Sequence, residues 1–159
     1  MGTVLTREKL QSETERLRRE GKRIVTTNGC FDLLHVGHVR FLQAARDLGD
    51  VLVVGVNSDS SVRRLNKGAN RPINNEDDRA EVLSCLESVD FVSIFDEDTP
   101  VEFVKVVKPD AHAKGSDYKP SDLAETPVVE SLGGKMHIIP LVPGRSTTNI
   151  VKKMSETSC

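Results

Sequence analysis

Residues 24–49, IVTTNGCFDLLHVGHVRFLQAARDLG, decide the fold. Ile24 to Thr27 is too short and too rich in β-branched residues for a buried helix, and reads as a strand. From Gly37 to Leu48, Phe41, Leu42, Ala45 and Leu48 recur on one helical stripe, and Gly49 stands where a left-handed residue would end the helix. Between strand and helix lies NGCFDLLHVGH, with Asn28 to Asp32 in the turn and His35, Gly37 and His38 at the helix head. A helix head presents unpaired N–H groups and roughly half a positive charge, so an anion is its natural ligand. Gly37 would leave a phosphate free to approach the backbone.

The alternation continues along the chain. Val51 to Val56, Val89 to Phe95, Ala111 to Lys114 and Met136 to Leu141 are further strands, and helical patterns separate them. One helix runs from about Glu76 to Leu86 with Asn75 as its cap. Others open at Thr99-Pro100 and Thr126-Pro127, the latter closed by Gly133-Gly134. Strands alternating with helices imply parallel pairing with right-handed crossovers. The expected class is α/β, a Rossmann-like doubly wound parallel sheet of about five strands with helices on both faces. The 159 residues fit one domain, with residues 1–22 an N-terminal helical extension. That helix, Thr6 to Gly21, offers only Leu10 and Leu17 as regular apolar contacts and is expected to be mostly solvated. In such sheets ligands bind beyond the carboxyl ends of the strands.

Bulk properties narrow the function. Hydrophobic residues make up 37% and charged residues 29%, with a net charge of -2. Disorder and a globally basic nucleic-acid binder are both disfavoured, so no nucleic-acid partner is expected and any anion site must be local. No apolar run approaches the ~20 residues of a membrane span, and MGTVLTREKL lacks a signal peptide's apolar core. A cytoplasmic location without membrane association is therefore expected. Cys30, Cys85 and Cys159 lack C-x-x-C spacing, which argues against a disulfide framework or zinc site; Cys30 and Cys85 read as packed thiols. No metal-ligand set is expected.

His35 and His38, three apart, share a helix face. A hydrogen-bonded core pair would account for an isolated H-x-x-H, and zinc pairs usually use i, i+4 spacing with further ligands. Four other stretches supply donors. Arg79 shares a face with Val82, Leu83 and Leu86 and should point inward, either to pair with an acid or to bind phosphate. The run RRLNKGANRP carries Arg63, Arg64, Lys67 and Arg71, of which Lys67 is singled out. In KGSDY, Lys114 can meet a phosphate, Gly115 permits close backbone approach and Asp117 can accept from sugar hydroxyls. In PGRSTT, Arg145, Ser146, Thr147 and Thr148 open a final helix as caps or as a phosphate cradle.

The H-V-G-H tetrapeptide at the first strand-to-helix turn resembles the H-x-G-H signature of the cytidylyltransferase-like nucleotidyltransferases. NGCFDLLHVGH, VNSDSSVRRL, RPIN with DDRAEVL, FDEDTP, KGSDYKP and PGRSTT together, from about Ile24 to Met154, resemble the heptose branch of that family, the adenylyltransferase domain of ADP-heptose synthases. Glycerol-3-phosphate cytidylyltransferase is a more distant likeness. The resemblance implies that His35 and His38 are catalytic, with Lys67 and Arg79 also catalytic and in contact with substrate. It implies nucleotide contacts from Asn28, Gly29, Cys30, Phe31, Gly37, His38, Lys114, Gly115, Asp117, Arg145, Ser146, Thr147 and Thr148. Asp32 and Tyr118 join the substrate side. The chain departs from the family pattern in Asn66, which stands inserted before Lys67-Gly68.

The implied reaction joins ATP to heptose 1-phosphate, with Mg²⁺ bound mainly through nucleotide phosphates. No sugar-kinase segment is present in the 159 residues, so a separate heptose kinase is expected upstream. The alternatives are a cytidylyltransferase using CTP and an alcohol phosphate such as glycerol 3-phosphate, and a non-catalytic nucleotide-sensing module. Sheet edges and the N-terminal helix offer surfaces for a homodimer or higher homo-oligomer.

Overall fold

In chain order the elements are β1 (Thr3–Val4), α1 (Arg7–Arg19), β2 (Ile24–Gly29), α2 (Val36–Arg46), β3 (Val51–Asn57), α3 (Asp59–Arg64) and α4 (Glu76–Ser84), then β4 (Phe91–Phe95), α5 (Val101–Val107), β5 (Ala111–Gly115), α6 (Thr126–Ser131), β6 (Lys135–Ile139) and α7 (Thr147–Glu156). The computed structural model describes residues 1–65, 68 and 70–156. All six strands pair in parallel, in the order β1-β4-β3-β2-β5-β6.

Side-chain alternation sorts the strands' residues onto two faces. Leu52, Val54 and Val56 of β3 pack with Val25 of β2, Leu42 and Ala45 of α2, and Ala80 and Leu83 of α4. Val51 and Val53 point the other way, toward Leu10 and Leu17 of α1, Phe103, Val104 and Val107 of α5, and Val129 of α6. The sheet is thus apolar on both faces, as a doubly wound sheet requires, and β3 is buried along its whole length.

One expectation changes and another gains detail. The sheet has six strands rather than about five, because the two residues of β1 pair with β4 at the edge, Thr3 beside Phe91 and Val4 beside Val92. Two residues are too few for a periodic pattern. The N-terminal helix is mostly solvated, as expected, and is nonetheless docked through one seam: Leu10 is 1% and Leu17 6% exposed. Helix α1 needs only one turn-spaced seam to seat itself, and its other residues remain polar.

The chain moves from β2 through β3 to β4 on one side of β2, while β5 and β6 lie on the other. Strand order therefore reverses between β2 and β5. Ladder pairing between these two is confined to Val25 with Ala111 and Thr26 with His112. Beyond it the carboxyl ends part, and the crevice opens there.

Gly49 serves differently from the expected left-handed cap: it is absent from the positive-φ residues, which among glycines are Gly21, Gly68, Gly133 and Gly144. A Cβ at Gly49 would lie 2.7 Å from the Arg23 carbonyl oxygen and 2.7 Å from Val25 Cγ2. The position requires close approach of the α2–β3 turn to β2. Gly49→Ala is expected to cost about 1–3 kcal/mol in urea unfolding, through forced displacement of backbone.

Candidate active site

The crevice between the ends of β2 and β5 is a cleft of about 490 Å³. Its first wall follows β2: Asn28, Gly29, Cys30, Phe31 and Asp32 all border it. Phe31 adopts φ 47, a left-handed conformation that is costly for a residue with a bulky side chain. The ring this turn delivers lies against Gly29 and meets His38 edge-on, with centroids 5.5 Å apart.

The second wall is the head of α2, with His35, Gly37 and His38. His35 is the N-cap, its Nδ1 accepting from the Gly37 N–H at 3.1 Å. That bond leaves the proton of the neutral ring on Nε2, directed as a donor. Gly37 has a reason other than the one expected from sequence. A Cβ there would lie 2.8 Å from His35 Nδ1, so the glycine first makes room for the folded-back imidazole and, at 3.4 Å, for Arg145 Cβ.

The two imidazoles stack with centroids 3.9 Å apart and an interplanar angle of 22°. Burial, followed by repulsion from His35, lowers the His38 pKa to about 4. His35 is lowered as well, by burial and then by the charge of Arg145. Near neutral pH both rings are therefore mainly uncharged. His38 Nδ1 is buried without a hydrogen-bond partner among the described residues.

A third wall comes from β5: Lys114, Gly115, Asp117 and Tyr118. Lys114 Nζ lies 3.3 Å from Glu125 Oε1 and 5.1 Å from the centre of the Tyr118 ring. Behind it sits a network that sequence reasoning missed. His112 is wholly buried and shares a 2.7 Å hydrogen bond with Thr26 Oγ1, and its Nε2 stands 3.7 Å from Glu125 Oε1. Burial alone would raise Glu125, but neighbouring His112 and Lys114 outweigh it and hold the carboxyl well below its ordinary range. Burial keeps His112 itself low.

The last wall is the head of α7, where Arg145, Ser146, Thr147 and Thr148 border the cleft. Ser146 Oγ accepts from the Asn149 N–H at 3.1 Å, the ordinary use of a capping serine. Thr147 Oγ1 donates to the Leu33 carbonyl at 3.1 Å and ties α7 to the β2–α2 loop.

Three expected residues stand elsewhere or in another role. Arg79 does not border the cleft: its side chain is fully buried, and every nitrogen is engaged by protein. Nε donates to Asn74 O at 3.0 Å, Nη1 to Cys30 O at 2.6 Å and Asn57 O at 2.8 Å, and Nη2 to Asp59 Oδ1 at 2.8 Å. The expected phosphate contact is replaced by a structural tie, because three strand- and loop-end carbonyls need a donor. Asp32, expected to hold substrate, has its carboxylate wholly buried instead, accepting from Ile73 N at 2.8 Å and Asn74 N at 2.9 Å and pairing with Arg71. Lys67 lies outside the described residues. Arg71, left with the unselected basic residues by sequence, borders the cleft; the partner that selects it, Asp32, is too distant in sequence to be seen in the charge run. Cys30 is buried but Cys85, at the end of α4, is exposed rather than packed.

Residues 26–153 match the family model described as cytidylyltransferase-like. The chain is 53% identical over 151 residues to the bifunctional protein HldE of Syntrophotalea carbinolica, covering 95% of this chain and 31% of that protein. Its counterpart in Geotalea uraniireducens is 57% identical over 134 residues, covering 84% of this chain and 27% of that one. The chain thus spans under a third of these relatives' length. The lipopolysaccharide core biosynthesis protein from Thermoplasma volcanium superposes with a TM-score of 0.65 at 33% identity, over 77% of this chain and 98% of that one. Pantoate-beta-alanine ligase from Francisella tularensis reaches a TM-score of 0.63 at 14% identity, over 98% and 78%, a likeness of fold alone. No helix among the described residues is long and apolar enough to cross a membrane.

Two outcomes follow from the geometry. Arg79→Ala strips the donor from three carbonyls and leaves Asp59 unpaired, with an expected loss of about 3–5 kcal/mol in denaturant unfolding. A fully stable variant would refute the structural role. His38, followed by its imidazole proton shifts, should titrate with a midpoint near 4. Because its folded pKa lies below the unfolded value, its contribution to stability is complete above pH 6.5 and lost as pH falls toward 4.

Proposed function

The chain belongs to the cytidylyltransferase-like family, and from that premise we propose that it transfers AMP from ATP to D-glycero-D-manno-heptose 1-phosphate, giving ADP-heptose and pyrophosphate for lipopolysaccharide precursor synthesis. One observation carries the reading: the stacked His35–His38 pair, the head of α2 and the head of α7 with Arg145 meet in a single cleft. The resemblance of NGCFDLLHVGH, KGSDYKP and PGRSTT to the heptose branch supports the choice of nucleotide and acceptor.

The chemistry suits such a cleft. A sugar phosphate, with a second pKa of about 6, is already ionised at neutral pH and needs no strong general base. One of its oxygens attacks the α-phosphorus of ATP in line, a P–O bond forms, and the bond from the α-phosphorus to the bridging oxygen breaks with its electron pair, releasing pyrophosphate. Repulsion between the two polyanions is the main obstacle, and oriented donors reduce it. Neutral His35 presents Nε2–H without the desolvation cost of a buried charge, and His38 becomes a stronger donor as the triphosphate raises its pKa. Arg145 and the N–H groups at the head of α7 hold the departing pyrophosphate. Asp117 and Tyr118 lie where the nucleoside or sugar would rest, and Lys114, held by Glu125, supplies a further positive group. The resemblance assigns Lys67 the role of the lysine that steadies the phosphates. Mg²⁺ would be held chiefly by phosphate oxygens and water. The acceptor requires a kinase acting upstream at the sugar's anomeric hydroxyl.

Pyrophosphate release across ATP or CTP paired with heptose 1-phosphate or glycerol 3-phosphate tests the proposal. The expected result is turnover with ATP and heptose 1-phosphate above every other pairing; preference for CTP and glycerol 3-phosphate would replace it with the cytidylyltransferase reading, and ATP binding without pyrophosphate release with a sensing module. In folded protein, His38→Ala should lower kcat by roughly 10²–10³, the usual cost of one preorganised transition-state donor.

A further inference from the structure

Arg71 differs from the other arginines near the cleft in what its guanidinium leaves unused. Its side chain is 13% exposed and borders the cleft. Nε is buried and faces Asp32 Oδ2 in an ion pair without an aligned hydrogen bond, and among the described residues no hydrogen bond from Nη1 or Nη2 is seen. Arg79, in α4, is the opposite case, with all three nitrogens engaged. A guanidinium carries five N–H donors in a rigid fork, so Arg71 keeps the bidentate edge that suits a phosphate.

Asp32 explains how the fork is held. Its carboxylate accepts from the backbone N–H groups of Ile73 and Asn74, and the Asn74 side-chain amide donates to the Asp32 carbonyl at 2.7 Å. Those bonds clamp the segment just after Arg71 onto the β2–α2 loop and disperse the carboxylate's charge over two amides. Arg71 is oriented by Asp32, shares that carboxylate with two amides, and borders the cleft.

The geometry points to Arg71 as the ligand of the acceptor's phosphate group, with Asp32 as its positioning residue. This assignment rests on the proposed nucleotidyl transfer, in which two separate anions must be held at once. The triphosphate takes the heads of α2 and α7. Arg145 is seated against Gly37 there, and Lys114 is engaged by Glu125 beside Tyr118. Of the described cations bordering the cleft, Arg71 alone is anchored through Asp32, beside Phe31 and apart from the α7 cradle. A phosphate on its free edge would be charge-compensated without drawing on the donors that serve ATP.

The test uses Arg71→Ala and Arg71→Lys in the full chain, with unfolding temperature as the folding control. In steady state, Arg71→Ala should raise KM for heptose 1-phosphate roughly tenfold to a hundredfold, as loss of charged hydrogen bonds does, while KM for ATP stays within about twofold. Arg71→Lys, which keeps the charge but not the fork, should recover part of the loss. A rise in KM for ATP alone, or unchanged constants for both substrates, overturns the assignment. A second readout needs no turnover: inorganic phosphate, added to protein saturated with a non-hydrolysable ATP analogue, should raise the unfolding temperature of the wild type, and Arg71→Ala should abolish only that increment. If the wild type shows no increment, or the variant retains it, the assignment fails. Absence of pyrophosphate release by the wild type across all substrate pairs would instead sink the proposed reaction, and the phosphate increment would still decide Arg71.

Discussion

The buried guanidinium of Arg79 is the tie on which the cleft depends. It binds the carbonyl of Cys30 just past β2, that of Asn57 at the end of β3 and that of Asn74 before α4, and it pairs with Asp59 in α3. The Cys30 and Asn57 bonds are buried at the ends of β2 and β3, where these carbonyls would otherwise be orphaned acceptors. One planar cation with donors on several edges can serve all of them; a lysine's single ammonium could not span the same directions. The loop bearing Phe31, Asp32 and His35 thereby takes a fixed position relative to the neighbouring strand.

On that frame the positive groups are graded rather than uniform. Arg79 is spent on structure. Lys114 shares its charge with a buried carboxylate, and the two histidines are driven toward neutrality by burial and by one another. Arg145 and Arg71 border the cleft and complete the set. Packing five full charges into one small cleft would cost the empty protein dearly in mutual repulsion. Neutral imidazoles that can gain a proton when a polyanion arrives avoid that cost while keeping the donors in place.

Much of this was legible in the chain. The Val-rich runs fixed the class, because a strand buried on both faces leaves a continuous apolar signature, and apolar stripes and caps placed every helix except α3. The cleft's four walls were legible because each directly follows a strand or opens a helix, places where backbone N–H groups have no other use. The rest turned on contacts distant in sequence. Nothing near Arg79 reveals that three carbonyls will converge on it, and nothing in RRLNKGANRP separates Arg71 from its neighbours until Asp32 is folded against it. Buried His112 and Glu125 were silent for the same reason. A two-residue strand such as β1 is invisible because it has no period at all.

Helix α7 is the least supported of the cleft's walls. None of its residues from Thr147 to Glu156 is fully buried, and its head is tied to the rest by the hydroxyl of Thr147 on the Leu33 carbonyl and by the seat of Arg145 beside Gly37. Such an element has little packing energy of its own, and local opening free energies are lowest where buried apolar contact is least. An anion resting on its N-terminal turn would act as mortar as well as cargo, bonding the wall while it stays and loosening it on departure. Occupancy and local order at that end of the molecule are consequently two faces of one equilibrium.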